Sequence, residues 1–393
     1  MIPALRKKYN SEFTREKYNS FINDINSQFG YKVEFRIAET PIFIPPELCA
    51  SLISAGNEII NYLVSDDFIS HSKTAIPSGM EVPNEDSHTK LLAIDFAVCT
   101  DDSGNLIPRL IELQGFPSLY FYQMLLNLKY REHFNIPDEV TNYFNGIDND
   151  KYISLLKKLI VNNNEPENVI LLEIEPEKQK TKIDFSCTEK WIGIKPVCIT
   201  EIKKEGKKLF YENNGKKTLI NRIYNRVIFD ELNKRTDLKL NFSFNDDIDI
   251  EWVPHPNWFF KISKHTLPGL KSKYVPETQF LNKIDSIPVN LQDYVLKPLY
   301  SFAGSGVKYD ITKKDIESIR DRENYILQRK INYEPVIETP DVPAKAEIRL
   351  LYIWDKEPLL VNNIVRLSKG KMMGVDFNKD RSWVGSSIGY FEK

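Results

Sequence analysis

The chain has 393 residues, 41% hydrophobic and 27% charged, which is typical of a globular protein with two or three domains. Its 53 basic and 55 acidic side chains nearly cancel and are interspersed, which argues against a nucleic-acid or membrane partner. No apolar run approaches the roughly 20 residues of a membrane-spanning helix. The polar start of the chain predicts no signal peptide, so we expect a cytoplasmic protein.

Cysteine and histidine show no zinc-binding pattern. The four cysteines have no paired spacing, and the five histidines form neither HExxH nor another helix-spaced pair. The cysteines are therefore expected to be free thiols of a reducing compartment, although the sequence leaves a disulfide between some pair open.

The N-terminal part is predicted to contain core helices followed by paired strands. Apolar residues at helical spacing predict helices before Gly30 and over 47–64. Strand-like runs over 91–99 and 106–114 are separated by polar turn residues, which predicts an antiparallel pair. Further helices are predicted at 119–130 and 152–159.

The stretch 161–168 contains almost nothing apolar and predicts a domain boundary. We expect three regions, at 1–160, 161–262 and 263–393. The middle region begins with a strand, a helix and a strand, a pattern typical of an α/β unit with a parallel sheet. The predicted elements beyond the boundary are strands at 169–174 and 196–202, a helix at 182–193, a hairpin at 209–220, strands at 294–297, 325–331, 347–354 and 358–366, and a helix near 313–320.

A small-residue loop follows a lysine in the C-terminal region. Lys297 ends a predicted strand, and Gly304, Ser305 and Gly306 come shortly after it. Glycines let successive backbone N–H groups turn toward one anion, and a lysine supplies a point charge for phosphate. The loop is not a Walker A motif, and the chain has no GxGxxG fingerprint. Taken alone, the loop favours a hairpin with a glycine turn and a surface lysine.

The neighbouring motifs favour a nucleotide site. Lys264 precedes a Val-Pro-Glu-Thr element at 275–278, and the strand of Gln328 and the arginines Arg349 and Arg366 follow the loop. In this order the segments resemble the ATP-grasp superfamily, in which two lysines, a glycine-rich loop, a hinge strand and later arginines hold ATP. The resemblance implies ATP binding by Lys264, Lys297, Gly304, Ser305, Gly306 and Gln328, with Arg349 and Arg366 as catalytic residues at the phosphates.

The acidic magnesium ligands of such enzymes usually follow the arginine strands, but no E-x-N strand follows Arg366. A matching pair lies upstream: Asp95 on one predicted strand, with Glu112 and Gln114 on one face of the next. Hard oxygen ligands of this kind suit Mg²⁺. Because the two carboxylates lie within apolar runs, a metal site is favoured over a solvated strand edge. Metal strands placed before the ATP lysines resemble a circularly permuted ATP-grasp fold of the glutathionylspermidine-synthetase-like kind.

The resemblance implies an α/β (α+β) fold with a preceding pre-ATP-grasp-like domain at 161–262. It also implies an ATP- and Mg²⁺-dependent ligase that joins a carboxylate to an amine or thiol through an acyl phosphate. Gln114 replaces the usual asparagine, and Ala93 replaces the usual arginine of R-x-D. Arg109 is expected on the face opposite Glu112. Ala93 leaves open a weakly active or inactive nucleotide-binding protein, and a small-molecule phosphotransferase also stays open.

A third group of residues is a candidate substrate site. Arg222 and Arg226 are four apart and would share one face of a helix, where they could bind a carboxylate. His255 and Asn257 lie in a proline-rich loop before Lys264. Surface ion pairs and a packed aromatic loop explain these residues equally well. The expected partners are small-molecule or peptide carboxylates and amines, and the sequence carries no signal for an oligomeric state.

Overall fold

The fold is described from a computed structural model of the chain. The structure describes residues 1–300, 306–370, 373, 378 and 380–393. These residues form a mixed α/β fold. The α-helices in this part of the chain are α1 (Pro3–Glu12), α2 (Arg15–Ser27), α3 (Pro46–Leu63), α4 (Asp66–Ser72), α5 (Tyr120–His133), α6 (Asn149–Ile160), α7 (Lys182–Ile192), α8 (Phe229–Leu232), α9 (Trp258–Lys261) and α10 (Lys313–Glu317).

The strands belong to several separate sheets. They are β1 (Ile42–Phe43), β2 (Leu91–Thr100), β3 (Leu106–Gln114), β4 (Val140–Thr141), β5 (Val169–Glu173), β6 (Lys195–Cys198), β7 (Lys203–Glu205), β8 (Lys208–Asn213), β9 (Lys216–Ile220), β10 (Arg222–Asn225), β11 (Glu251–Val253), β12 (Thr278–Phe280), β13 (Tyr294–Pro298), β14 (Tyr325–Arg329), β15 (Lys345–Trp354), β16 (Pro358–Ser368), β17 (Gly385–Ser387) and β18 (Gly389–Glu392).

The largest sheet joins segments from both ends of the chain. Its order is β17-β16-β15-β2-β3, with antiparallel neighbours throughout. The interior strand β2 is buried over nearly its whole length. One of its faces packs against α3 and its neighbours, and the other packs into a second apolar core. An unbroken apolar run is the expected sequence of a strand covered on both faces. The N-terminal and C-terminal regions therefore share one sheet.

Two smaller sheets lie beside it. The parallel sheet, in the order β11-β10-β5-β6, carries α7 between β5 and β6, as the strand–helix–strand pattern predicts. The antiparallel sheet, in the order β12-β14-β13, presents Lys297 and Gln328 toward the large sheet. This arrangement brings both lysine-bearing segments to the edge formed by β3.

Most predicted elements are present. The hairpin of β2 and β3, the helix α3 and the strands β13 to β16 fall where the hydrophobic pattern predicts them. The first helical region is two helices. The first ends at Glu12 with Phe13 in an extended conformation, and Thr14 caps α2 by accepting a hydrogen bond from the backbone N–H of Lys17. All four cysteines are buried free thiols, as expected. Within the described residues, no helix has the length and apolar character needed to cross a membrane.

Candidate functional site

Charged side chains converge on one face of the large sheet. Asp95 on β2 lies opposite Glu112 on β3 and opposite Arg349 on β15. One strand further, Glu347 on β15 lies opposite Arg366 on β16. Because side chains alternate along a strand, residues at positions i and i+2 share a face, so Glu347 joins Arg349. Four neighbouring strands thus contribute to a single charged cluster.

Asp95 is the buried centre of this cluster. It is fully buried, and its two oxygens accept hydrogen bonds from Nε and Nη2 of Arg349, each at 2.6 Å. The amide nitrogen of Gln114 donates to Asp95 at 3.2 Å and to Glu112 at 2.9 Å. A bidentate guanidinium–carboxylate pair fixes the orientation of both groups. Asp95 therefore positions Arg349, while Glu112 lines the open cleft.

Glu347 is a further acidic residue of the cluster. Its Oε1 accepts a hydrogen bond from Nε of Arg366 at 2.8 Å, and its Oε2 accepts one from the hydroxyl of Tyr333 at 3.2 Å. Glu347 is buried and lines the cleft. Glu347 was not predicted from the sequence, although Arg349 follows it by two residues on β15 and therefore shares its face. That spacing was the available signal.

The two lysines approach the cluster from the side of β3. The Nζ of Lys297 lies 2.6 Å from Oε1 of Gln328 and 3.3 Å from the carbonyl oxygen of Ile111. Gln328 in turn donates to Thr278 at 2.9 Å. The Nζ of Lys264 lies 3.7 Å from Oε2 of Glu112. Residues that are far apart in the sequence thus meet at one place.

Burial and the neighbouring charges together set the ionisation of these groups. Burial raises the pKa of Asp95 to about 6, against the opposing attraction of Arg349. For Glu112, burial acts to raise the pKa, but Lys264 and the neighbouring arginines lower it further than burial raises it. Burial lowers the pKa of Lys297 to about 8, although Glu112 acts to raise it. At neutral pH the cluster is a set of charged groups held close together.

The cluster lines a cleft of about 550 Å³, a size that accommodates a small molecule or cofactor. Cations and carboxylates share its walls with several aromatic and aliphatic side chains. Of the residues assigned from the sequence and through the resemblance, the cleft-lining ones are Glu112, Gln114, Lys264, Arg349 and Arg366. An apolar wall beside fixed charges suits a ligand with both a ring and anionic groups.

The glycine-rich loop is described only in part. Gly304 and Ser305 lie outside the described residues. Lys308 lies two residues after Gly306, and its backbone N–H and C=O form hydrogen bonds with the backbone of Leu296 on β13, at 2.9 and 3.0 Å. The loop therefore begins and ends beside Lys297, as the sequence predicts for a hairpin at this position.

The segment of the candidate substrate arginines contains a strand, so the condition that they share one face of a helix is not met. Arg222 begins β10 in the parallel sheet, donates to the carbonyl oxygen of Leu159 at 2.7 Å and pairs with Glu251. Arg226 follows the same strand and donates to the carbonyl oxygen of Pro117 at 2.6 Å. Both are buried and support the backbone of neighbouring segments. The structure does not bring them to the face of Glu112.

His255 and Asn257 are likewise engaged within the fold. The Nε2 of His255 lies 2.9 Å from the carbonyl oxygen of Pro83. The side chain of Asn257 bonds to both backbone groups of Val82, at 3.0 and 3.1 Å, and donates to Glu85 at 2.7 Å. Both residues are buried and hold the segment before β2. These contacts favour the packed-loop interpretation.

Arg109 lies on a different face from the one expected. A register shift between Asp95 and Phe96 makes Ile111 an extra residue of β3, so that Arg109 pairs with Ala97. A bulge of this kind changes the side-chain alternation. Arg109 therefore shares the face of Glu112, but its guanidinium donates to the carbonyl oxygen of Lys273. The face predicted for Arg109 was wrong because the bulge lies between Arg109 and Glu112.

The described residues form a mixed α/β protein with a charged cleft on its largest sheet. The structure of a glutathione synthetase-like effector, GSS30, from Globodera pallida in its apo form is similar over 96% of both chains, with a TM-score of 0.58 and 10% sequence identity. At this level of identity the likeness shows a shared fold. No known protein family and no curated protein matches the sequence. The narrower resemblance to glutathionylspermidine synthetases, and the circular permutation, stay predictions.

Proposed function

We propose that the protein is an ATP- and Mg²⁺-dependent ligase that joins a carboxylate to an amine or thiol. The observation that carries this proposal is a cleft lined by Lys264, Glu112, Arg349 and Arg366, with Lys297 close enough to Glu112 to lower the pKa of that carboxyl. Lysines and arginines beside carboxylates can hold the phosphates of a nucleotide together with its metal ion. The glutathione synthetase-like neighbour agrees with this class through the fold alone.

The donor groups present fit a magnesium ion. Glu112 and Glu347 offer carboxylate oxygens at the cleft wall, and Gln114 offers an amide oxygen once its side chain turns. Asp95 is less suited to direct ligation, since both of its oxygens are bound to Arg349. An ion held by Glu112 and Glu347 would supply positive charge against the phosphates of a nucleotide.

In the proposed reaction an oxygen of the substrate carboxylate attacks the γ-phosphorus of ATP, and ADP leaves. The amine or thiol then attacks the acyl carbon, loses its proton, and phosphate leaves. Lys264, Lys297 and Arg366 hold the phosphates, and Arg349 stays aligned through Asp95. No covalent bond to the protein is required, so catalysis rests on positioning and charge neutralisation.

The fold order supports a circularly permuted ATP-grasp arrangement as part of the proposal. The strands of Asp95 and Glu112 precede the lysines in the sequence but lie beside the arginine strands in the sheet. Ala93 lies in this sheet at the position where the resemblance expects an arginine, next to Gln114. Ala93 thus keeps a nucleotide-binding protein without turnover as the second candidate, with a phosphotransferase as the third.

The test is release of ADP and phosphate from ATP and Mg²⁺ with a panel of carboxylates and amines or thiols. Release that needs both co-substrates supports the ligase, whereas a stable phosphorylated product indicates a phosphotransferase. Nucleotide binding without turnover over the whole panel favours the second candidate. Lys297→Ala and Glu112→Ala should each abolish turnover. Lys308→Ala, on the same hairpin but exposed and paired with Asp315, should retain it. Full activity of Glu112→Ala would contradict the proposed metal site.

A further inference from the structure

One end of the cleft lies beyond the residues assigned to nucleotide and metal. Its walls come from residues 34–36 and 384–386, two segments joined by backbone hydrogen bonds. Arg36 supplies a cation there, with 35% of its side chain exposed. The ATP and metal binding proposed above makes no use of Arg36.

The Arg36 guanidinium is fixed by the surrounding fold. Its Nε donates to the carbonyl oxygen of Val384 at 3.2 Å, and its Nη2 donates to Oε1 of Glu39 at 2.5 Å. Glu39 is fully buried and also accepts the backbone N–H of Trp383 at 2.7 Å. A guanidinium already oriented at two donors loses little freedom when it binds an anion.

Glu39 pairs with a second arginine besides Arg36. Arg15 pairs with the same Glu39 oxygen at 3.2 Å, so two guanidinium groups share one carboxylate. Arg15 is half exposed and lies outside the set of described residues that line the cleft. Glu34 borders the cleft but is exposed, so water screens its charge. Because Glu39 is shared between two guanidinium groups, it neutralises the charge of Arg36 only in part, and Arg36 can attract an anion.

Backbone pairing fixes how far Arg36 lies from the catalytic arginine. Ser386 is opposite Arg366 in the sheet, and its backbone N–H donates to the carbonyl oxygen of Arg36 at 2.8 Å. The backbones of Arg36 and Arg366 are thus two strand spacings apart, roughly 10 Å. The close contact depends on Gly385, which has a φ of +119°, and a Cβ there would overlap the Arg36 carbonyl.

We propose that this end of the cleft, the Arg36 subsite, binds a second carboxylate of the acid substrate, which is therefore a dicarboxylate. One carboxylate reacts beside Arg366, and the other is held by Arg36. The inference rests on the proposed ligase function for the identity of the reacting group. Binding of a dicarboxylate to Arg36 can nevertheless be measured without turnover.

The experiment measures binding of succinate, glutarate and adipate to the full chain by calorimetry, with and without ADP and Mg²⁺. Butyrate, valerate and caproate are the matched monocarboxylates. The variants are Arg36→Gln, Arg36→Lys and the control Arg15→Gln, which removes the other partner of Glu39. Thermal melting checks that each variant is folded.

We expect at least one dicarboxylate to bind about tenfold or more tightly than its monocarboxylate, since a charged hydrogen bond is then added. Arg36→Gln should remove this preference, whereas Arg36→Lys should keep part of it and Arg15→Gln should keep nearly all. Equal binding of the two series to the wild-type chain overturns the inference, as does an unchanged preference in a folded Arg36→Gln variant. A preference that persists in a protein without ATP turnover separates this inference from the ligase proposal.

Discussion

At the residue scale, Lys297 links the electrostatics of the site to a measurable pH dependence. Burial lowers its pKa to about 8 in the free protein, so it loses its charge as the pH rises through that value. Nucleotide binding needs the charged form. Affinity for ADP should therefore fall as the pH rises through 8, to about half at pH 8 and about one tenth at pH 9 relative to pH 7. Calorimetric titration of ADP between pH 7 and 10 measures this.

The matched variant for that experiment is Lys297→Arg. An arginine stays charged over the whole range, so its ADP affinity should vary far less between pH 7 and 10. A wild-type affinity that does not change above pH 8 would contradict the assigned role of Lys297.

Residue chemistry was predictable from the sequence where it followed strand alternation. Glu112 and Gln114 share a face as expected, and the hydrogen bond between their side chains shows it. Arg109 could not be placed, because a one-residue bulge at Ile111 leaves no trace in composition. Arg222 was considered as part of a carboxylate site only if its segment were helical. In the structure it begins a strand, and its guanidinium contacts a carbonyl oxygen and a carboxylate from other segments. Such partners come from tertiary packing and cannot be found locally.

At the scale of elements, the contact between the end of β3 and the segment after α9 positions Lys264. The backbone N–H of Gly115 donates to the carbonyl oxygen of Ile262 at 2.9 Å. A Cβ at Gly115 would overlap the carbonyl oxygen of Trp258 and the side chain of Ile262. The 3₁₀ segment Lys264–Gly269 begins directly after this contact. The absence of a side chain at Gly115 thus lets Lys264 approach Glu112.

We therefore predict that Gly115→Ala weakens ADP binding and lowers stability by about 1–3 kcal/mol, the usual cost of overpacking. Ile170→Val in the parallel sheet is the control, since it costs about 1 kcal/mol in a core outside the cleft. Denaturant unfolding and ADP titration measure the two effects. If both variants lose stability and neither loses ADP affinity, the contact does not position Lys264.

Element order was largely readable from hydrophobic periodicity, but the pairing of elements was not. The hairpin of β2 and β3 follows from a local turn, and α7 follows from a strand–helix–strand pattern. The pairing of β2 with β15 joins segments that no local signal connects. Only the order of the motifs, through the family resemblance, suggested that these strands would share a site.

At the scale of the whole molecule, each carboxylate of the free site has a cation beside it. Glu347 holds Arg366, Glu112 lies near Lys264, and Asp95 holds Arg349. A metal ion alone must compete with these cations for the carboxylates, and a nucleotide alone must compete with the carboxylates for the cations. When both bind, each charge exchanges one partner for another. Metal and nucleotide should therefore bind cooperatively.

We predict that ADP binds about tenfold or more tightly with Mg²⁺ than without it, a coupling in the usual range for linked sites. Calorimetry at fixed free Mg²⁺ concentrations measures this. Glu347→Gln should tighten metal-free ADP binding by releasing Arg366, and should reduce the coupling. Glu357→Gln removes the same charge from an exposed position and should change neither quantity. Equal ADP affinity with and without Mg²⁺ would contradict the exchange.

The pairing of β2 with β15 also sets how the protein must fold. Asp95 and its partner Arg349 are 254 residues apart, so β2 gains its second neighbour only after most of the chain has been made. Contacts of such long range slow folding. Until then β2 exposes apolar faces and an open edge, which is a template for aggregation. Residues 1–160 produced alone should therefore precipitate, and co-production with residues 161–393 should keep them in solution.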